Sequence, residues 1–274
     1  MITEALVGTW LAMCAVMLYS DPRLWIVLAS SVAFTLVRVA VVPLVGRRVK
    51  AFGALSPGSQ LLWSNTAVSM LHSALSSLLA LYALSCDHSL AGDYVNRASR
   101  AEFVTTAIST GYFAYDLWDY VLNRLYVKAP GIVAHHVVIL ICYISALTKT
   151  VGVPLLSLAL ICELHSACMH LRKLLSMSSF SVAASPAYKL VWQLQWATFL
   201  LARVVPHVFV TWITYNAYRM FVLPLHFWMA FVGMLFINIL NAQLLRDVNR
   251  AFRKDFGYSA SSASTATTVA SKAL

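Results

Sequence analysis

The chain has 274 residues, of which 60% are apolar and only 11% are charged, whereas soluble domains carry about 25% charged residues. Too few polar side chains are present to cover a globule, so a soluble monomeric domain is excluded and the apolar excess must face hydrocarbon. The length fits one helical unit of about six to eight membrane spans at about 20 residues each.

Seven long apolar runs predict seven membrane-spanning helices, because a spanning segment must satisfy its own backbone hydrogen bonds. The runs cover residues 24–45, 61–84, 101–122, 132–147, 154–175, 190–217 and 221–245. Residues 1–19 predict a short additional helix before them, and the Ser, Ala and Thr residues from Gly257 onward predict a disordered tail over 257–274. The expected fold class is all-α, a polytopic transmembrane helical bundle.

The net charge is +10, from 20 Lys and Arg against 10 Asp and Glu. In a soluble protein this excess would suggest a nucleic-acid partner, but here its distribution follows the positive-inside rule. The loops 46–60, 123–131 and 172–189, together with the tail, hold thirteen basic residues, and the opposite loops hold five. We therefore predict an integral membrane protein with a cytoplasmic basic face, a cytoplasmic C-terminus and no nucleic-acid partner.

Polar and ionisable side chains recur at helical spacing inside the apolar runs. Such groups are costly in a membrane, so they usually face the bundle interior and indicate function. They are Asn65, Ser69, His72 and Ser76 on the second run, Ser109, Tyr112, Asp116 and Asp119 on the third, His135 and His136 on the fourth, Glu163, Ser166 and His170 on the fifth, and Arg203 and His207 on the sixth. The alternating topology brings ionisable groups from four helices into the cytoplasmic half of the bundle.

Two carboxylates and two imidazoles at one depth, from Asp116, Asp119, His135 and His136, exceed what holding helices together requires. An imidazole beside a carboxylate can act as a general base or take an acyl group itself. These four are therefore the candidate catalytic residues. The alternative, that interior polar groups only hold helices together, is favoured for a lone histidine such as His72.

A metal site is the rival chemistry for histidines in a membrane, as in di-iron lipid desaturases and hydroxylases. Such sites need many clustered imidazole or carboxylate ligands, whereas the sequence has one adjacent histidine pair. His165 and His170 are separated by about 140° around the helix, which places them poorly for a shared metal. We therefore expect no metal site and no cofactor.

A series of short motifs follows the chain in a distinctive order. It consists of Trp63-Ser-Asn-Thr66 with Val68-Ser69 and His72-Ser73, then Gly111-Tyr112-Phe113 with Asp116 and Asp119, then His135-His136, then the stretch from Glu163 to Leu175, and then Arg203-Val-Val-Pro206. Their order and spacing together resemble the TLC-domain family of multi-span membrane proteins over residues 53–256. The last two motifs are most similar to the branch of TLC domain-containing proteins 1 and 2.

The resemblance implies a six-helix TLC core over 53–256, preceded by one or two N-terminal helices and a basic loop within 1–52. For this branch it implies control of phospholipid acyl composition and hence of membrane fluidity, with the plasma membrane as the favoured setting and the endoplasmic reticulum as the alternative. The partner is then a membrane phospholipid or a fatty acyl chain held within the bundle. Four side chains would face its head group or carboxylate as candidate lipid-binding residues: His72, Glu163, His170 and Arg203.

A second hypothesis is acyl transfer, with acyl-CoA as a substrate rather than a cofactor. Ceramide synthases, relatives in the same family, use an adjacent histidine pair with a downstream pair of aspartates. His135 and His136 match the first part, while Glu163, His165 and His170 occupy the stretch where the aspartates would stand. This departure argues against ceramide synthesis and leaves other acyl chemistry open. A third hypothesis is a structural or chaperone-like membrane partner, and the oligomeric state is left open.

Overall fold

The computed structural model describes residues 2–86, 92–127 and 130–272, and within these ranges the chain forms eight helices and no strand. The helices are α1 (Ile2–Ser20), α2 (Pro22–Arg48), α3 (Pro57–Cys86), α4 (Arg100–Leu122), α5 (Pro130–Lys149), α6 (Val153–Met177), α7 (Pro186–Asn216) and α8 (Pro224–Lys272). The predicted all-α helical bundle is confirmed.

Six of these helices, namely α2, α3, α5, α6, α7 and α8, are long and apolar enough to cross a membrane. The sequence predicts seven such helices, and the difference is α4, which carries Arg100, Glu102, Asp116 and Asp119. This helix lies between α2, α3 and α5 and buries most of its side chains. Because protein rather than lipid surrounds much of α4, it does not need the apolar surface of a lipid-facing span.

The two ends of the chain follow the helical pattern. The predicted N-terminal helix is confirmed as α1, whose apolar part, Gly8–Ser20, is shorter than a typical span. At the other end α8 continues as a helix to Lys272, and residues 273–274 lie outside the described part of the chain. The disordered tail over 257–274 stays a prediction, which hydrogen exchange of its backbone amides would test.

Short polar sequences define where two of the inner helices begin. Ser99 caps α4: its Oγ accepts from the Glu102 N–H at 3.1 Å, while the Glu102 carboxylate accepts from the Ser99 N–H at 2.9 Å. This reciprocal arrangement is a capping box. At α7, Ser185 accepts from the Tyr188 N–H, and Pro186 supplies the helical φ of the first turn. These caps fix where α4 and α7 begin.

Three helices depart from regular α-geometry beside the polar side chains. α2 has a π-helical segment at Val37–Val41, which contains Arg38, and α7 has one at Phe199–Val204, which contains Arg203. A 3-10 segment at Leu160–Cys162 interrupts α6. Segments of this kind are frequent at functional sites, because they re-aim side chains and loosen the regular backbone hydrogen bonding.

The N-terminal helix α2 packs on α4 in backbone contact at Gly111. A Cβ atom at Gly111 would overlap the carbonyl oxygen of Val27 and would lie 2.6 Å from the Cβ atom of Ser30. The Ser30 hydroxyl donates to the Ile108 carbonyl at 2.7 Å across the same contact. Small residues allow membrane helices to approach this closely, so Gly111 and Ser30 join the N-terminal helices to the core.

Candidate functional site

A cavity lies between α5, α6, α7 and α8. The empty space between its lining residues is about 980 Å³, including the parts that are open to the surroundings. Most of its wall is apolar and includes Ile139, Leu155, Val210 and Met234. The acidic, arginine and histidine side chains on the wall are His135, Glu163, Arg203, His207 and His226.

The cavity is elongated along the helices that line it. On α5 its lining residues extend from His135 to Ala146, which corresponds to about 16 Å at a rise of 1.5 Å per residue. On α8, which runs in the opposite direction, they extend from His226 to Ile237. The two helices thus line the same wall over similar lengths.

The acidic and arginine side chains on the wall lie at one end of this cavity. His135, Glu163 and Arg203 lie at the end where α5 begins, whereas Gly152, Phe221 and His226 lie at the opposite end. The cavity therefore combines a long apolar volume with a polar end, the arrangement that an amphiphile with one chain requires. We call the first of these ends the polar end.

Arg203 is buried at the polar end, with 8% of its surface exposed. Its Nη1 donates to Oδ1 of Asn241 at 3.2 Å, and its Nη2 donates to Oγ of Ser166 at 2.5 Å and to the Cys162 carbonyl at 3.4 Å. Its Nε is buried and has no hydrogen-bond partner in the described part of the chain. All three partners are neutral, so the guanidinium charge is hydrogen-bonded but not neutralised.

The amide of Asn241 has a defined orientation between Arg203 and His207. A guanidinium only donates hydrogen bonds, so the amide oxygen must face Arg203. The Asn241 Nδ2 then donates to Nδ1 of His207 at 2.8 Å. Nδ1 of His207 therefore carries a lone pair, and the ring proton resides on Nε2.

The carboxylate of Glu163 contacts side chains of α3. Its Oε2 accepts from the Ser73 hydroxyl at 2.6 Å and lies 4.0 Å from Nδ1 of His72. The His72 ring stacks on Tyr112 with ring centroids 3.6 Å apart, and its Nε2 lies 2.8 Å from the Ser76 hydroxyl. Glu163 is thus hydrogen-bonded to α3, and it forms no ion pair with Arg203 in the described part of the chain.

The adjacent histidines of α5 face different surroundings, because neighbouring residues on a helix point about 100° apart. His135 lines the cavity, and its Nδ1 is buried without a hydrogen-bond partner among the described residues. His136 lies outside the cavity lining, with its Nδ1 3.4 Å from Oδ2 of Asp116. That distance suits an ion pair, although the angle is not that of a hydrogen bond.

Asn65 joins the two buried carboxylates of α4. Its Nδ2 donates to Oδ1 of Asp116 at 2.7 Å and to Oδ2 of Asp119 at 3.0 Å. Asp119 also accepts from Asn123 at 2.8 Å and pairs with Nε of Arg38 at 3.3 Å. Charge-assisted hydrogen bonds of this kind offset the cost of burying carboxylates. We call these five residues and His136 the Asn65 network.

The structure divides the sequence-predicted site residues between the cavity and the Asn65 network. Three line the cavity: His135, Glu163 and Arg203. Three belong to the Asn65 network: His136, Asp116 and Asp119. The other two lie elsewhere: His72 beside Glu163, and His170 half-buried outside the cavity lining. Their catalytic or lipid-binding roles stay predictions.

His165 and His170, considered above as metal ligands, lie on α6. His165 is fully buried, with its Nδ1 3.1 Å from the Gln195 carbonyl oxygen. No group of three or more His, Cys, Asp or Glu side chains suited to a metal occurs in the ranges that the structure covers. The expectation of no metal site stays a prediction.

The sequence patterns do not single out Asn241, which links Arg203 to His207. The available signal is its position in an otherwise apolar run, three residues after Asn238. The Asn238 amide donates to the Thr211 hydroxyl of α7 at 2.8 Å. Because polar residues inside a span are expected to face a neighbouring helix, the two asparagines together mark the face of α8 that meets α7.

Comparisons with known proteins find relatives over most of the bundle. The family model of the TLC domain matches residues 62–249. TLC domain-containing protein 2 of Homo sapiens is 37% identical over 144 residues, which cover 53% of this chain and 54% of that protein. The Danio rerio protein of the same name is 27% identical over 197 residues, covering 71% of this chain and 76% of that protein.

A second kind of relative is TLC domain-containing protein 1 of Gallus gallus, which is 29% identical over 185 residues, or 62% of this chain and 72% of that protein. The chain spans about half the length of the human and mouse proteins that it matches. No solved structure matches the chain.

Proposed function

Because this chain belongs to the TLC-domain family, we propose that it regulates the acyl composition of membrane phospholipids by binding a fatty acyl chain in the cavity between α5, α6, α7 and α8. Through that composition it controls membrane fluidity and the organisation of the plasma membrane, with the endoplasmic reticulum as the alternative location. The observation that carries the proposal is the character of the cavity, a largely apolar volume whose acidic and arginine side chains lie at one end.

The polar end gives such a site its selectivity. Lipid tails are as apolar as leucine side chains, so a chain that moves from the bilayer into the cavity gains little from the hydrophobic effect. Preference for one ligand must therefore come from shape and from hydrogen bonds. His135 and Arg203 each present a buried, unpartnered nitrogen at this end, which supports a ligand whose polar group lies there.

A cavity-filling substitution tests this proposal without altering the polar end. Ala230 of α8 lines the cavity, whereas Val232 on the same helix is 54% exposed and lies outside the lining. We expect Ala230→Phe to block chain binding and Val232→Phe to leave it intact. The measurement is the phospholipid acyl profile, by mass spectrometry, of gene-deleted cells that express each form at equal abundance.

The expected result is a deletion-like profile for Ala230→Phe and a wild-type profile for Val232→Phe. A wild-type profile for Ala230→Phe at normal abundance would contradict the proposal, as would a deletion that leaves the profile unchanged. If substitutions in the cavity and in the Asn65 network lower protein abundance and change nothing else, the structural or chaperone-like hypothesis is favoured instead.

A second candidate function, acyl transfer from acyl-CoA, is favoured by the position of His135. His135 lines the cavity in which an acyl chain would lie, and its Nδ1 has no hydrogen-bond partner among the described residues. That nitrogen can take a proton from an acceptor amine or hydroxyl while the acceptor attacks the thioester carbonyl. The coenzyme A thiolate then leaves and takes up the proton. Asp116 and Asp119 would act only through His136, which lies beside His135.

Release of coenzyme A by purified protein tests this second function. The assay offers acyl-CoA with lysophospholipid or amine acceptors and measures free thiol. We expect turnover by the wild type and its loss in His135→Ala. No turnover with any acceptor, or full turnover by His135→Ala, would exclude acyl transfer through this histidine.

A further inference from the structure

At the polar end of the cavity, the buried side chain of Arg203 forms no salt bridge with another described residue. We propose that the ligand of this cavity is a long-chain fatty acid bound as the free carboxylate, with the carboxylate on Arg203 and the chain directed towards Gly152 and Phe221. This inference rests on the proposed function, since it names the chemical form of the chain that the cavity holds. Acyl-CoA differs from such a ligand because its acyl chain ends in a neutral thioester. An intact phospholipid differs because it carries two acyl chains.

Arg203 is the group that selects an anion. Its guanidinium is 8% exposed, and its hydrogen bonds go to an amide oxygen, a hydroxyl and a carbonyl, all neutral. An ionised group in an apolar interior is strongly unfavourable unless an opposite charge compensates it. Among the described residues Arg203 forms no salt bridge, so the compensating charge is available for a ligand to supply.

The free donor on Arg203 is placed to receive that ligand. Nη2 donates two hydrogen bonds and Nη1 donates one, whereas Nε is buried and unpartnered. A carboxylate accepts charge-assisted hydrogen bonds from guanidinium N–H groups, and these are about twice as strong as hydrogen bonds between neutral groups. The buried Nδ1 of His135, also unpartnered, lies on the same stretch of wall and offers a second polar contact.

Glu163 is the acidic side chain on the cavity wall, and its own contacts explain why it does not serve as the counter-charge. Its Oε2 is held by the Ser73 hydroxyl at 2.6 Å and lies 4.0 Å from His72. Both partners belong to α3. Because Glu163 is hydrogen-bonded to α3 and forms no salt bridge with Arg203 among the described residues, a ligand carboxylate can pair with Arg203.

The size of the polar end favours a small head. The guanidinium of Arg203, the imidazole of His135 and the carboxylate of Glu163 form it, and the rest of the wall is largely apolar. A fatty acid places a single negative charge at the end of a single chain, which matches one elongated cavity with one buried cation. A phospholipid would need room for its glycerol and its second chain beside Arg203.

Competition between an acid and its neutral ester tests the inference in the unmodified protein. The full-length chain in zwitterionic lipid nanodiscs is incubated with radiolabelled palmitate and competed with unlabelled palmitate or methyl palmitate, each expressed as a mole fraction of the nanodisc lipid. We expect palmitate to compete at least tenfold better than methyl palmitate. Palmitoyl-CoA and a lysophospholipid are tested as further competitors that carry phosphate groups, and we expect both to compete less well than palmitate.

Substitution of Arg203 links that preference to one side chain. Arg203→Gln should bind the ester and the acid equally, because the amide keeps hydrogen bonding but removes the charge. Arg172→Gln is the matched control, since Arg172 is a half-buried arginine of α6 that contacts Gln195 and Asp255 outside the cavity. It should keep the tenfold preference.

The outcomes separate this inference from the proposed function. Saturable binding with equal competition by acid and ester would overturn the carboxylate assignment while leaving chain binding intact, as would stronger competition by palmitoyl-CoA or lysophospholipid. No saturable binding of palmitate, ester or acyl-CoA would overturn both. An acid preference that persists in folded Arg203→Gln would also overturn the assignment. If that variant does not fold, the wild-type ratio of acid to ester decides.

Discussion

At the scale of single residues, Asn65 determines how two carboxylates coexist inside the bundle. Asp116 and Asp119 lie about one turn apart on α4, both buried, and would repel each other as anions. An asparagine amide nitrogen carries two protons, and Asn65 donates to one oxygen of each aspartate. One neutral side chain thus satisfies an acceptor on both carboxylates.

We expect Asn65→Leu to lower the free energy of unfolding by about 2–4 kcal/mol, since hydrogen bonds to charged groups contribute about 1.5–3 kcal/mol each. The measurement is thermal or chemical unfolding of purified protein in nanodiscs. Asn65→Leu/Asp116→Leu should recover part of the loss because it also removes one of the two stranded carboxylates. The control is Ser77→Ala, whose hydroxyl bonds only a carbonyl of its own helix. Equal stability of Asn65→Leu and wild type would show that the Asn65 network does not stabilise the fold.

The two histidines of α5 should separate stability from function. His136 is buried beside Asp116, whereas His135 borders an open volume. We expect His136→Ala to destabilise the protein by about 1–2 kcal/mol more than His135→Ala, from the loss of a contact with a buried carboxylate. We expect only His135→Ala to weaken palmitate binding at normal stability. Unfolding curves and binding measured on the same preparations check both expectations, and the reverse order would contradict them.

The sequence predicts these residues as site residues, but it does not predict which of them line the cavity and which belong to the Asn65 network. Spacings of three and four placed Asp116 and Asp119 on one inward face of the third run, and their ends of α4 and α5 do meet. The pattern could not distinguish His135 from His136, because that depends on the rotation of α5 about its axis. The rotation is set by packing against α4 and α8, which a single run of sequence does not contain.

At the scale of elements, the contact between α2 and α4 depends on a glycine, Gly111, because any side chain there would overlap α2. Gly111 allows the backbone of α2 to touch α4, and the Ser30 hydroxyl bonds the Ile108 carbonyl at the contact. The first motif of α4, Gly111-Tyr112-Phe113, thus has a packing reason for its glycine.

Gly111→Ala should separate α2 from α4 and destabilise the protein by about 1–3 kcal/mol, the usual range for overpacking, or by more where backbone must move. Gly131→Ala is the matched control, because a Cβ atom there would meet nothing within 4 Å. Thermal unfolding checks both variants, and cysteine crosslinking across α2 and α4 reports the separation. An unchanged melting temperature for Gly111→Ala would contradict the contact.

The sequence does not predict the irregular helical segments. The residues of Phe199–Val204 and Leu160–Cys162 are mostly apolar and continue the surrounding runs without a glycine or proline inside them. A π turn adds one residue to a helical turn, so the phase of the side chains changes there. A period of 3.6 carried across residues 190–217 therefore misplaces the face of Arg203 relative to that of Gln195, and only the three-dimensional packing reveals the change.

At the scale of the whole molecule, the basic loops define a predicted orientation that labelling can check. In a background with the exposed Cys86 replaced by Ser, we expect Ser56→Cys to react with a membrane-impermeant maleimide in sealed vesicles whose cytoplasmic side faces outward. Arg97→Cys, on the opposite loop, should react only after detergent is added. Both positions are exposed. Labelling of Arg97→Cys before Ser56→Cys would reverse the predicted topology.

The all-α bundle follows from composition, because 60% apolar residues in runs of span length leave few alternatives. The cavity does not follow in the same way. It depends on the distances that separate α5, α6, α7 and α8, and the same apolar side chains would also fill a close-packed interface. The sequence predicts only the polar end of the cavity, because Arg203 and Glu163 are charged residues within apolar runs.

The outer wall of the cavity is formed by the helix with the least protein around it, since 11% of the apolar window of α8 is buried. A helix that mostly meets lipid tilts to match the thickness of the hydrocarbon layer. Because α8 lines the cavity from His226 to Ile237, a change in its tilt would change the width available to a ligand. We therefore expect the protein to bind palmitate with different affinity in thicker and thinner bilayers. If the protein adjusts the acyl chains of its membrane as proposed, the resulting thickness of the membrane would in turn change how the protein binds its ligand.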